Sequence, residues 1–98
     1  MIKPAFLTDI KNFAKNHIKK GRITLNGVNI ELPIYRVVEN GDQLIFYLYV
    51  EDQQGFISHA ALLDGNGREM QEKFFSINKG INGYTIAMPI LLRVEGTT

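Results

Sequence analysis

The hydrophobic period of this chain changes once, and that change limits what the chain can fold into. Phe6, Leu7, Ile10, Phe13, Ala14, His17 and Ile18 recur at three and four residues, one stripe of a 3.6-residue helix. Lys11, Lys15 and Lys19 fall on another face at steps of four. Pro4 suits the first turn, where a missing amide costs nothing. Lys19 and Lys20 suit the last turn, with Gly21 free to take a left-handed cap. The spacing predicts a helix over 4–20.

After Gly21 the period is two. Ile23 and Leu25 lead into Asn26-Gly27, and Val28, Ile30, Leu32 and Ile34 then alternate with more polar positions. Asn-Gly between alternating runs predicts a two-residue hairpin, because both residues tolerate the positive φ of a type I′ turn. Glycine-bearing turns recur at 39–42, 52–55, 64–67 and 78–83. The expected strands are 22–25, 28–38, 43–51, 56–63, 68–77 and 84–95. Pro33 and Pro89 cannot donate to a ladder, so their strands belong at edges or are interrupted there. Parallel pairing needs long crossovers, and the connections are short. The fold class is therefore α+β: a single domain over 1–98, with an N-terminal amphipathic helix packed on an antiparallel sheet of about six short strands, tending to a β-sandwich.

Leu44 to Val50 is the longest apolar run, and it predicts a central strand covered on both faces. It is far short of the roughly 20 residues of a spanning helix. No signal-peptide pattern follows Met1, so the expectation is a soluble chain made in the cytoplasm. One short helix cannot cover both faces of such a strand, and wet apolar side chains would sacrifice roughly 1.5–3 kcal/mol each. A second sheet folded over within the chain or a symmetry mate would cover the remaining face, and a homo-oligomer is expected, with Phe6, Ile10, Phe13, Phe46, Tyr47 and Tyr49 as its interface.

Residue chemistry removes several functions. The 98 residues include no cysteine, which leaves no disulfide, thiolate nucleophile or thiolate metal site. The two histidines, His17 and His59, lie far apart, and zinc wants four nitrogen or sulfur ligands. Ser58 and His59 are adjacent in a strand and point to opposite faces, so they form no nucleophile–base pair. Asp64-Gly65-Asn66-Gly67-Arg68 starts like a calcium loop but puts Arg68 where an acid or amide belongs. The same glycines lack the third glycine and the following helix of a phosphate cradle. No catalytic residue, metal, cofactor or small-molecule substrate is expected.

Charge is uneven. Residues 1–22 carry six basic side chains against Asp9, a net of +5, and residues 23–98 carry five basic against nine acidic, a net of −4. The basic stretch supports an alternative function, a small nucleic-acid-binding or regulatory domain using the lysine-bearing helix. Phe46, Tyr47 and Tyr49 have no interleaved lysine or arginine, as base-stacking aromatics would, and nucleic acid is not the expected partner.

A helix followed by an antiparallel meander resembles cystatin-like protease inhibitors, but Val37-Val38-Glu39-Asn40-Gly41 lacks the glutamine of their Gln-x-Val-x-Gly loop. Phe56 to Arg68, with its Ala-x-Leu-x-Asp-x-x-Gly phrasing, Ile77-Asn78-Lys79-Gly80 and the strand Ile86 to Ile90 resemble another group. They are similar to small proteins encoded among the tail and baseplate genes of siphophages infecting Gram-positive bacteria, Bacillus phages especially. That resemblance covers about the second half of the chain. It implies a non-enzymatic structural or surface-binding protein of the tail region, virion-associated, β-sandwich in fold like phage receptor-binding and baseplate domains. Its implied partners are copies of itself and other tail proteins.

Overall fold

Pro4 opens the first helix, α1 (Pro4–His17), at the position where its missing amide is harmless. The computed structural model describes residues 3–92. The helix ends three residues sooner than its periodicity predicts. Ile18 turns to extended backbone at φ −83°, ψ 117°, and goes straight into β1 (Ile18–Leu25). Two burial requirements override the lysine-rich helical ending. Ile18 joins the core at 6% exposure and pairs with Asp64. Gly21 is a buried strand residue rather than a left-handed cap, and a Cβ there would stand 2.6 Å from Leu48 Cδ1.

Leu25 and Val28 pair directly across Asn26-Gly27, whose φ values of 52° and 81° are those of the expected I′ turn. β2 (Val28–Pro33) follows, and here the expected strand over 28–38 divides. Pro33 ends β2, and after Ile34 the amide of Tyr35 donates to the Tyr47 carbonyl, starting the pairing of a second sheet. The remaining strands are β3 (Arg36–Asn40), β4 (Gln43–Val50), β5 (Gly55–Asp64), β6 (Glu69–Lys79) and β7 (Tyr84–Leu91). Positions 93–95 of the last expected strand lie outside the described residues.

Among the described residues seven strands form two antiparallel sheets, in the orders β2-β1-β5-β6 and β3-β4-β7. Pro33 and Pro89 lie in edge strands, β2 and β7, where a missing donor costs no ladder bond. The two inner faces enclose the core, with Ile23, Leu44, Phe46, Leu48, Ile57, Leu62 and Met88 all at 0% exposure. On one side the Gln71 amide of β6 donates to the Pro89 carbonyl of β7, joining the sheets edge to edge.

β4 is central in its sheet, but only one of its faces is covered. Leu44, Phe46, Leu48 and Val50 enter the core, whereas Ile45 and Tyr47 are half-buried and Tyr49 is exposed. A second sheet folded over one face does the work that the apolar run predicted for both.

The helix does not close the other face. None of its residues is buried, and Phe6 and Phe13 are 58% and 66% exposed. Its Ala14 packs against the core, and polar contacts tether it further: Lys11 to the Gly41 carbonyl, Lys15 to Glu39 at 2.8 Å, and His17 Nε2 at 3.9 Å from Asp64. Among the described residues no helix is long and apolar enough to cross a membrane.

Candidate functional site

The crossover between the sheets builds one end of the sandwich into a cleft. Pro33 stops β2, so Tyr35 is delivered beside β4 and its ring stacks on Tyr49, centroids 5.3 Å apart at 30°. Tyr49 sits on the outer row of β4 because Leu48 and Val50 occupy the core row. Its ring crosses the backbone of the β6–β7 loop at Gly83, where a Cβ would lie 2.5 Å from Tyr49 Cζ, so glycine makes that approach possible. Glu51, Asp52 and Gln53 of the β4–β5 loop complete the rim. Leu32 and Pro33 form the apolar floor of the cleft, whose volume is about 300 Å³.

The rim loop is pinned at both ends. Lys79, only 6% exposed, donates from Nζ to the main-chain carbonyls of Glu51 at 2.8 Å and Gly80 at 3.1 Å. At the other end Asn26 and Phe56 exchange main-chain and side-chain bonds, both at 2.9 Å. Gly55, at φ 141°, lies close against the Asn26 side chain, where a Cβ would meet Cγ at 2.6 Å. Three loops, at 26–27, 51–55 and 80–83, are thereby held in one arrangement before any ligand arrives. Binding to such a surface carries little ordering cost.

Electrostatically the cleft is one-sided. Its polar groups are the Tyr35 and Tyr49 phenols, the Glu51 and Asp52 carboxylates and the Gln53 amide, and among the described residues no basic side chain lines it. Lys79 points at carbonyl oxygens behind the rim.

A second polar grouping lies on the outer face of the four-stranded sheet. Two bulges assemble it. Thr24 pairs with His59 and Leu25 with Ile57, which leaves Ser58 as an extra residue and turns His59 away from the core side that Ile57 occupies. Leu62 pairs with Gln71 and Leu63 with Glu69, which leaves Met70 as the extra residue and brings Glu69 to the face of Glu72. The ligating atoms of His59, Glu69 and Glu72 come within 4.8 Å of one another. They are already engaged: His59 Nε2 is 3.3 Å from Glu72, and Arg22 pairs with Glu69. A hydrogen bond shared with Glu72, then the one from Arg22, holds the Glu69 carboxyl below the usual range. This is an ion-pair network on a sheet surface, with the His59 ring tilted against Phe74 at 5.0 Å.

The residues singled out from the sequence are dispersed. Phe46 is 0% exposed in the core, which removes it from any interface. Phe6, Ile10 and Phe13 lie on the helix, away from the cleft, and Tyr47 is half-buried on β4. Of the six, Tyr49 alone lines the cleft. Tyr35, Glu51, Asp52 and Gln53 were not anticipated, and the signal that points to them is the Pro33 strand stop, which frees Tyr35 to cross to the other sheet.

Asp64, at the head of the glycine-rich turn, serves that turn. Its buried carboxylate accepts the amides of Asn66 and Arg68, both at 2.9 Å, and Arg68 Nε at 2.7 Å. The Arg68 amide bond is the main reason its carboxyl stays below the ordinary aspartate range. His17 stacks on Phe13 at 5.0 Å. The basic stretch is largely answered within the chain, with Lys11 on Gly41, Lys15 on Glu39 and Lys20 on Glu31.

The fold and cleft define a two-sheet β-sandwich carrying a helix and a loop-end aromatic cleft. No family model matches the chain, and neither a curated protein nor a solved structure is significantly similar to it.

Proposed function

We propose that this chain is a non-enzymatic surface-binding module of a phage tail or baseplate region, and that it binds through the loop-end cleft. The activity rests on one observation: two stacked tyrosines, Tyr49 of β4 and Tyr35 of the β2–β3 connection, stand beside a carboxylate rim whose loop is pinned by Lys79 and Asn26. Concave sites with aromatic walls and a few fixed polar groups are the usual form of a ligand pocket, and about 300 Å³ is at the small end of their range. Ligand sites in sandwiches commonly lie on loops positioned by a rigid scaffold. The tail-region setting rests on the turn phrasing of residues 56–68 and 77–80.

A ligand-observed NMR screen of a fragment library tests the activity. Fragments that receive saturation from the wild-type chain are expected to lose it with Tyr35→Leu/Tyr49→Leu. Equal transfer to both proteins removes the cleft as the binding site. The setting is tested by the flanking genes: tail and baseplate genes are expected on both sides, and a run of metabolic genes contradicts it.

A further inference from the structure

We infer that the cleft recognises an organic cation, an ammonium or guanidinium group presented to the Tyr35–Tyr49 stack between Glu51 and Asp52. This inference rests on the cleft being a binding site and specifies what it binds.

The charge pattern of the molecule carries the argument. Among the described residues most other acids are engaged: Glu31 with Lys20, Glu39 with Lys15, Asp64 with Arg68, Glu69 with Arg22, Glu72 beside His59, and Asp42 as well, with Asp9 of the helix the exception. Glu51 and Asp52 are exposed, and among the described residues neither carboxylate makes a hydrogen bond or ion pair. Lys79, behind the rim, is spent on main-chain carbonyls. Two unanswered negative charges thus flank the stacked Tyr35–Tyr49 pair.

Aromatic faces are negative at the centre and attract cations, most strongly where water is partly excluded. Carboxylates beside such a ring add hydrogen-bond acceptors for N–H donors and raise the local cation concentration. A neutral polyol would gain from a balance of donors and acceptors, whereas this rim is dominated by acceptors carrying full charge. The small volume fits a single head group on a short stem rather than an extended chain.

The same cation could come from a free or lipid-borne quaternary ammonium, or from a lysine or arginine side chain of a polypeptide. Amide chemical-shift titration of the full chain separates the possibilities. The probes are choline, its neutral carbon isostere 3,3-dimethylbutan-1-ol, and the N-acetyl methylamides of lysine and arginine. The cations are expected to shift residues 35, 49 and 51–53 and to bind at least about fivefold more tightly than the isostere. Added salt is expected to weaken the cations and leave the isostere unchanged. Choline outranking the amino-acid probes assigns a quaternary ammonium source, and the reverse order assigns a polypeptide side chain.

Glu51→Gln/Asp52→Asn, which alters only exposed carboxylates, is expected to abolish the preference while the melting temperature holds. Equal binding of choline and its isostere at the cleft overturns the cation assignment but leaves a binding site. A preference that survives the double variant also overturns it. Silence from all four probes at residues 35, 49 and 51–53, with fragments still bound there, overturns it as well.

Discussion

Gly21→Ala tests the packing between the two sheets at one atom. Gly21 lies in β1 between Leu32 and Leu62 of its neighbours, with Leu48 of the opposite sheet seated on its Cα. An added Cβ would stand 2.6 Å from Leu48 Cδ1 and 2.9 Å from Cγ, against the 3.5–4.0 Å of an ordinary carbon contact. Leu48 is 0% exposed, so it has no solvent to retreat into. Overpacking of this kind costs about 1–3 kcal/mol, offset by about 0.4–1 kcal/mol from the lower entropy of the unfolded alanine chain. The expected net loss is about 1–2 kcal/mol, seen in urea denaturation as a lower midpoint with an unchanged slope. A thermal melt should fall by about 4–8 °C for each kcal/mol. The double-mutant cycle gives the mechanism. Leu48→Ala alone should cost about 2–5 kcal/mol through its cavity, and the new methyl at 21 should partly fill that cavity. Gly21→Ala/Leu48→Ala should therefore cost less than the sum by about 1 kcal/mol or more. If Gly21 were instead a left-handed helix cap, alanine would also destabilise, but additively with Leu48→Ala. Additivity, or a neutral Gly21→Ala, refutes the packing argument.

Lys79→Met should cost about 1–3 kcal/mol in urea denaturation, because it removes charge-assisted bonds to the Glu51 and Gly80 carbonyls; an unchanged midpoint would show that the loop is not held there. The Asp64 carboxyl titrates below its unfolded value, so its stabilisation is complete above the ordinary aspartate range and is lost as pH falls through the depressed folded value. Melts from neutral pH down to about pH 2 should therefore fall below about pH 4, and Asp64→Asn should flatten that fall; identical profiles contradict the prediction. Phe6 and Phe13, left open on the helix, support self-association. Light scattering at micromolar protein should give a multiple of 11.1 kDa that drops to one chain with Phe6→Glu/Phe13→Glu, and a wild-type value of one chain contradicts the oligomer.

Much of the sandwich is written locally. Asn26-Gly27 specifies its own turn, and Pro33 and Pro89 mark edges because a missing amide is a property of the residue, not of the fold. What escaped depends on partners far along the chain. A glycine after a lysine-rich helix reads as a cap, and only the distant partners Leu32, Leu62 and Leu48 make Gly21 a close-packed strand residue. Helical periodicity shows which face of α1 is apolar but not what covers it, and the fold leaves Phe6 and Phe13 of that stripe exposed. Strict alternation cannot anticipate Ser58 or Met70, each inserted opposite nothing, and those insertions decide which way His59 and Glu69 face. The cleft joins residues from 32–35 with residues from 49–53 across a change of sheet, so the sequence pattern singled out Tyr49 alone.

The central claim is that the loop end is the working surface of this molecule, and site-resolved shift mapping addresses it most directly. An isotope-labelled chain is titrated with the fragments that score in the ligand screen, and the amides that move are placed on the fold. The account predicts shifts centred on Tyr35, Tyr49 and residues 51–53, spreading to Lys79 and Gly83, with α1 and the His59–Glu72 face unmoved. Shifts centred instead on Phe6 and Phe13, or on His59, Glu69 and Glu72, contradict it.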